Sequence, residues 1–223
     1  MSTGLLTCDV IMPNRNYGAY LHEAISSALN QEGFHTHVIL SDDASSDDSL
    51  EVARSFAADR VTVISHAEHV GLPAARNSGV RRSTSALFGF LDSDDVWPQD
   101  RLLHLHDSLQ GRTDTIATGV AVEFSGTSAH PTVQRRREAV RNLSCALVPR
   151  DVLSLVGSFD EGLQYGDTVD WSARAANLGV SYITIDHVVT LRRIHDKNMS
   201  RMIASEPSDY LQIVRRYRKS RSV

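Results

Sequence analysis

The chain has 223 residues, 41% of them hydrophobic and 22% charged, with a formal net charge of -4. That length suits one domain with a sizeable core, and the mild acidity asks for no nucleic-acid partner. Lys occurs only at Lys197 and Lys219 and Cys only at Cys8 and Cys145, which excludes a P-loop enzyme, a disulfide framework and a cysteine zinc site.

In chain order, Cys8 to Met12 reads as a strand, and Leu21, Ile25 and Ala28 repeat at helical spacing within Ala19 to Leu29. Val38-Ile39-Leu40 is a second strand. Ser45-Ser46-Asp47-Asp48 offers N-cap chemistry for a helix with Leu50, Ala53 and Ala57 on one stripe. Arg60 to Ser65 is a third strand, Pro73 to Val80 a short helix and Ala86 to Leu91 a fourth, fully apolar strand. Gln99 to Leu109 is a helix with Leu102, Leu105 and Leu109 facing inward. In the second half, Ile116 to Phe124 reads as a strand and Ser125 to Arg137 as a polar loop. Pro149 to Val156 is a helix closed by Gly157, and Gly166 to Leu178 contains a helix closed by Gly179. Val180 to Ile194 is one or two strands, and Ser205-Glu206-Pro207 opens a last, basic helix.

Strands alternating with helices predict an α/β fold: a central, mostly parallel sheet with helices on both faces. Ligands of such sheets bind beyond the carboxyl ends of the strands. Asn14 and Asn16 follow strand one, and Asp42 and Asp43 follow strand two. His69, Arg76 and Asn77 follow strand three; Asp92, Asp94 and Asp95 follow strand four. All four polar groups fall on one predicted rim, which marks a site.

Asp92-Ser93-Asp94-Asp95 ends a buried strand, and residues two apart on extended backbone point the same way, so Asp92 and Asp94 address one object. A divalent cation relieves such crowding, and oxygen ligands suit Mg2+ or Mn2+ shared with a diphosphate. A solvated turn capping the next helix is the equal rival. Asp47 and Asp48 belong to a helix start, leaving Asp42 and Asp43 for ligand contact. Arg76 either pairs with the nearby carboxylates or touches a base or phosphate, and Arg15 is placed to stack on a base.

These segments, in order, resemble family 2 glycosyltransferases of the GT-A fold. The resemblance rests on Val10 to Asn16, Ser41 to Ser45, Gly71 to Asn77 with Gly79, and Leu91 to Asp95. Val156 to Glu161 resembles that family's Gly-Gly-Phe-Asp-Glu segment, and Arg193-Ile194-His195 with Asn198 and Ser200 resembles its late His motif. The resemblance implies an inverting, metal-dependent transferase using a nucleotide-sugar, with a UDP-sugar favoured, and a glycan, lipid-linked or small-molecule acceptor. It implies one domain over 1–223, with a donor half at 1–98, an acceptor half at 99–204 and a basic tail at 205–223. Pro13, Asn14, Arg15, Asn16, Asp42, Arg76, Asp92 and Ser93 would hold the nucleotide, and Asp94 and His195 the Mn2+ or Mg2+.

The sequence departs from that pattern where the base is expected. The family's Glu-Asp pair falls on Asp167 and Thr168, and Thr is no general base at neutral pH. The expected catalytic residues are therefore Asp167 first and Asp170 second. Arg15 also replaces the usual Tyr. An impaired, nucleotide-sugar-binding homologue is one rival. The other is a haloacid-dehalogenase-type phosphatase with its nucleophile in Asp92-Ser93-Asp94-Asp95. The latter motif normally opens a domain, and no Lys separates the two acidic clusters here. The N-terminus lacks a signal peptide's basic and apolar segments, and no window reaches the roughly 20 apolar residues of a membrane span. A cytoplasmic protein is expected. Its basic C-terminal helix is either a solvated tail, the simpler reading, or a peripheral membrane contact.

Overall fold

The computed structural model describes residues 5–137 and 142–196, together with Asn198 and Ile213. Its order is β1 (Leu6–Asn14), α1 (Gly18–Leu29), β2 (Phe34–Asp42), α2 (Ser49–Arg54), β3 (Val61–Ser65), α3 (Leu72–Arg82), β4 (Leu87–Phe90) and α4 (Arg101–Leu109). There follow β5 (Thr115–Thr127), β6 (His130–Arg137), a single 3-10 turn at Leu143–Cys145, β7 (Ala146–Pro149), α5 (Arg150–Val156), α6 (Asp167–Asn177) and β8 (Ser181–Arg193).

One mixed sheet runs in the order β3-β2-β1-β4-β7-β5-β6, with β8 also on β5. The first four strands are mutually parallel. β7 then runs antiparallel to both β4 and β5, and β8 runs parallel to β5. Side chains alternate along β1 and β2, so Val10, Met12, Val38 and Leu40 meet α1, α2 and α4 on one face. Ile11 and Ile39 join the opposite cluster, with residues of α5 and α6 and the edge of α3. This two-sided burial explains why the central strands read as nearly continuous apolar runs. Both cysteines are free and buried, as their apolar neighbourhoods predicted. No helix among the described residues is long and apolar enough to cross a membrane.

Register builds the functional rim. Asn14 pairs with Asp42 and Asp42 with Ser65, so three strands end on one row. Strand β4 pairs with Asp9 to Ile11 and is carried on by Leu91, whose N–H donates to the Ile11 carbonyl. The chain moves outward from β1 to β3 and then crosses back to β4 on the other side of β1. That reversal opens a crevice at the carboxyl ends of β1 and β4. Gly89 lets the next segment fold back closely, because a Cβ there would lie 2.3 Å from the Trp97 ring.

Two local expectations need correction. The segment expected as a polar loop, Ser125 to Arg137, continues β5 to Thr127 and returns as β6. A strand pairing on one side only tolerates polar residues, and β6 is such an edge. Helix α2 ends at Arg54, before Ala57. Val180 to Ile194 forms a single strand, β8, whose register slips twice against β5. Apart from Ile213, which is helical and buried, the expected C-terminal helix and Ser200 lie outside the described residues.

One buried carboxylate anchors the entry to β4. Asp9 accepts hydrogen bonds at one oxygen from Ser83 Oγ (2.5 Å), Thr84 N (2.9 Å) and Ser85 N (3.0 Å). Burial opposes its ionisation, but these donors outweigh that and hold the carboxyl below the usual aspartate range. A group lowered in this way contributes stability above its unfolded pKa and loses it as pH falls through the folded one. Asp9→Ala is therefore expected to cost about 2–4 kcal/mol at neutral pH in urea unfolding. The gap from wild type should close as pH falls below about 4.

Candidate active site

Two turns at the rim are sewn together from beneath. Asp42 is fully buried, and its carboxylate accepts from Asn14 Nδ2 (2.8 Å), Ser45 N (3.0 Å) and Ser45 Oγ (2.6 Å). Asn16 N donates to Ser45 Oγ, and Ser46 N donates to the Asn16 side chain. Asn16 and Ala44 both take positive φ, 60° and 54°, which costs energy outside glycine and is held here by this network. Asp43 gathers the third turn: its carboxylate accepts from Val70 N (2.6 Å) and Gly71 N (3.0 Å), with His69 Nδ1 at 2.7 Å.

The fourth turn carries the acids. Asp95 N donates to the Asp92 carbonyl, so Asp92 to Asp95 form a tight turn rather than the extended pair expected from their spacing. Ser93 Oγ donates to the Pro13 carbonyl at 2.6 Å and ties this turn to β1. Asp92 is 46% exposed at the side chain and Asp94 13%. Burial, then the neighbouring Asp92 charge, pushes the Asp94 carboxyl up; burial and both neighbours push Asp95 well above the usual range. The end of β8 answers this negative charge. Arg193 N donates to Asp95 Oδ1 (2.9 Å), and Arg193 Nε to the Asp94 carbonyl (3.0 Å). Asn198 Nδ2 donates to Asp94 Oδ2 (3.1 Å), and His195 Nε2 lies 3.0 Å from the same oxygen. Tyr20 stacks on the His195 ring at 4.5 Å and Tyr17 meets it edge-on at 5.9 Å.

A cleft of about 960 Å³ lies over these turns. Its wall includes Pro13, Asn14, Arg15, Asn16, Asp43, Arg76, Asp92, Ser93, Asp94, Asp95 and Asn198, faced by Glu161 to Thr168. Of the residues expected to hold nucleotide, Asp42 alone is missing from this wall; it lies below, and its neighbour Asp43, itself largely buried, takes the place on the wall. His195 does not line the wall and sits behind Asp94. Arg76 is buried and committed to carboxylates, with Nη1 2.5 Å from Asp167 and Nη2 3.2 Å from Asp92. Asp167 and Asp170 are both buried; Asp167 lines the cleft, whereas Asp170 does not and has Arg174 Nε 2.9 Å away. Tyr17 and Tyr20 escaped sequence reasoning, although an aromatic pair three apart at a helix start was a legible signal.

The acids and one imidazole fit a divalent cation. Oxygen ligands with an imidazole suit Mn2+ or Mg2+, and the carboxyls of Asp94 and Asp95, raised by burial first and by like charge second, carry a cost that a cation would relieve.

Parallel β1 to β4, a switch-point cleft and this acidic turn define an α/β fold of the GT-A type. The chain belongs to glycosyl transferase family 2, whose model matches residues 9–156. It is 30% identical over 206 residues to the glycosyltransferase AglE of Haloferax volcanii, covering 85% of this chain and 67% of that protein. Among solved structures it resembles a mannosyltransferase of Pyrobaculum calidifontis in complex with GDP-Man and Mn2+. That match has TM-score 0.75 and 18% identity, covering 95% of this chain and 64% of the other. It also resembles residues 1–349 of S. aureus TarS in complex with UDP, with TM-score 0.69 and 16% identity over 94% and 64% of the two chains. The chain thus spans about two thirds of AglE, of the mannosyltransferase and of the 1–349 segment of TarS. Family membership does not favour the phosphatase rival.

The raised carboxyls carry a signed consequence. A carboxyl raised on folding costs stability once pH exceeds its unfolded value, because the folded chain then holds a proton or bears unrelieved repulsion. In EDTA at pH 8, Asp94→Asn is expected to melt above wild type. With Mn2+ present the order should reverse, and thermal unfolding in the two buffers checks it.

Proposed function

We propose that the chain transfers a sugar from a nucleoside-diphosphate sugar, a UDP-sugar first, to an acceptor hydroxyl with inversion at the anomeric carbon. The observation that carries this reading is the turn of Asp92, Asp94 and Asp95, backed by His195 and Asn198, at the switch-point cleft. Support comes from the family match and from two structural neighbours whose complexes hold UDP or GDP-Man with Mn2+.

Asp94 and His195 would hold Mn2+ or Mg2+. Such a cation, when bound, supplies positive charge where the departing diphosphate gathers negative charge. Pro13 to Asn16 form the lip for the base, with Arg15 as a stacking plane. We assign the polar contact to the base to Asp43, with Asp42 holding the loop beneath it. Asp92 and Ser93 face the ribose side. The acceptor hydroxyl approaches from the Glu161 to Thr168 wall, and the acceptor is a glycan, lipid-linked or small-molecule alcohol.

Asp167 is the proposed base, since it lines that wall and Asp170 does not. Thr168 beside it has no proton affinity for the task at neutral pH. Arg76 orients Asp167 and, through Asp92, joins the acceptor side to the donor side.

Release of UDP from UDP-hexoses in the presence of Mn2+, by transfer or slow hydrolysis, tests the proposal. Asp94→Ala should abolish it. Asp167→Asn should lower kcat about 10²–10⁴-fold while UDP affinity stays within a few-fold. UDP release unchanged by Asp94→Ala would sink the reading, and unchanged kcat in Asp167→Asn would move the base elsewhere.

A further inference from the structure

A second constellation lies away from the cleft, where α4 meets β8. Asp100 precedes α4, His104 stands one turn on, and His187 reaches across from β8. Both Nε2 atoms converge on one carboxylate oxygen: Asp100 Oδ2 lies 3.5 Å from His104 Nε2 and 3.2 Å from His187 Nε2. All three ligand atoms lie within 4.8 Å of one another. None of these residues lines the cleft.

We infer that Asp100, His104 and His187 form a binding site for a divalent transition-metal ion of the zinc class. Bonds of about 2.0–2.2 Å in tetrahedral geometry place neighbouring donors about 3.3–3.6 Å apart, close to the two spacings seen here. The imidazole rings lie with centroids only 3.9 Å apart. Two imidazolium ions at that separation repel, whereas two neutral rings sharing a metal with one carboxylate do not. Two nitrogen donors select zinc, cobalt, nickel or copper over magnesium or calcium. The side chains are 42%, 48% and 32% exposed for Asp100, His104 and His187, so solvent reaches the ion and supplies the fourth ligand.

The backbone is shaped to present His187. The register of β8 on β5 slips on both sides of Val120. There β5 carries Gly119, where a Cβ would lie 2.6 Å from Val189 and 2.8 Å from the His187 carbonyl. The close approach permitted by that glycine sets the path from which His187 meets α4. A metal at this point would fasten α4 to the strand whose far end carries Arg193.

This site is independent of the donor reading, and its test keeps the two apart. The full chain carrying Asp94→Ala, which removes the proposed donor-site ligand, is titrated with Co2+ and followed by visible absorption. One equivalent should bind, with the bands of a nitrogen and oxygen ligand field, and Zn2+ should displace it. His187→Gln and His104→Ala, each added to that background and each checked for native circular dichroism, should weaken binding at least tenfold. Zn2+ should also raise the Tm of the background chain but of neither variant. Absence of stoichiometric Co2+ uptake, or uptake that survives both substitutions, would overturn the site.

Discussion

Everything at the rim answers to the burial and crowding of Asp94 and Asp95 beside Asp92. Burial first, and then the neighbouring carboxylates, push the Asp94 and Asp95 carboxyls up, a cost that a positive counterpart offsets. The fold supplies part of it from the end of β8, through backbone and side-chain donors of Arg193, Asn198 and the neighbouring His195. The remainder is what a divalent cation would complete. In the proposed function that cost would be relieved when cation and donor bind.

The same constraint explains how the two halves of the chain are joined. Arg76 grips Asp92 in the acidic turn and Asp167 at the start of α6. Asn77, the next residue, donates to the Phe159 carbonyl and to Glu161, and accepts from Phe159 N. Arg193 ties β8 to the acidic turn, and to Glu23 of α1 at 2.5 Å. Buried ion pairs contribute little net stability after desolvation, but losing one partner leaves the other uncompensated. Their value here is position: the wall bearing Thr168 and Asp167 is set against the acidic turn by charge rather than by apolar contact alone.

Much of this was legible in the sequence. The short continuous apolar runs of Val10 to Met12 and Val38 to Leu40 set the strands, and polar residues after each strand set the rim. The partition within Asp42-Asp43 was not legible, since both are the same residue type and only register decides which one lies beneath. The Arg76 ambiguity, pairing or ligand contact, likewise needed the distance to Asp167, ninety-one positions away in sequence. The β5–β6 hairpin was missed because a one-sided edge strand carries no apolar period. The Asp100–His104–His187 cluster was half visible, as an i,i+4 pair on one helix face; its third member depends on how β8 slips past Gly119.

In the proposed function the cleft binds a nucleoside diphosphate through a cation held at the acidic turn. The deciding measurement is calorimetric titration of the purified chain with UDP and with GDP, each with Mn2+ and with EDTA. Binding of UDP in Mn2+, with a large loss of affinity in EDTA, is the expected result. Equal affinity in both buffers, or no binding of either nucleotide at millimolar concentration, would contradict it.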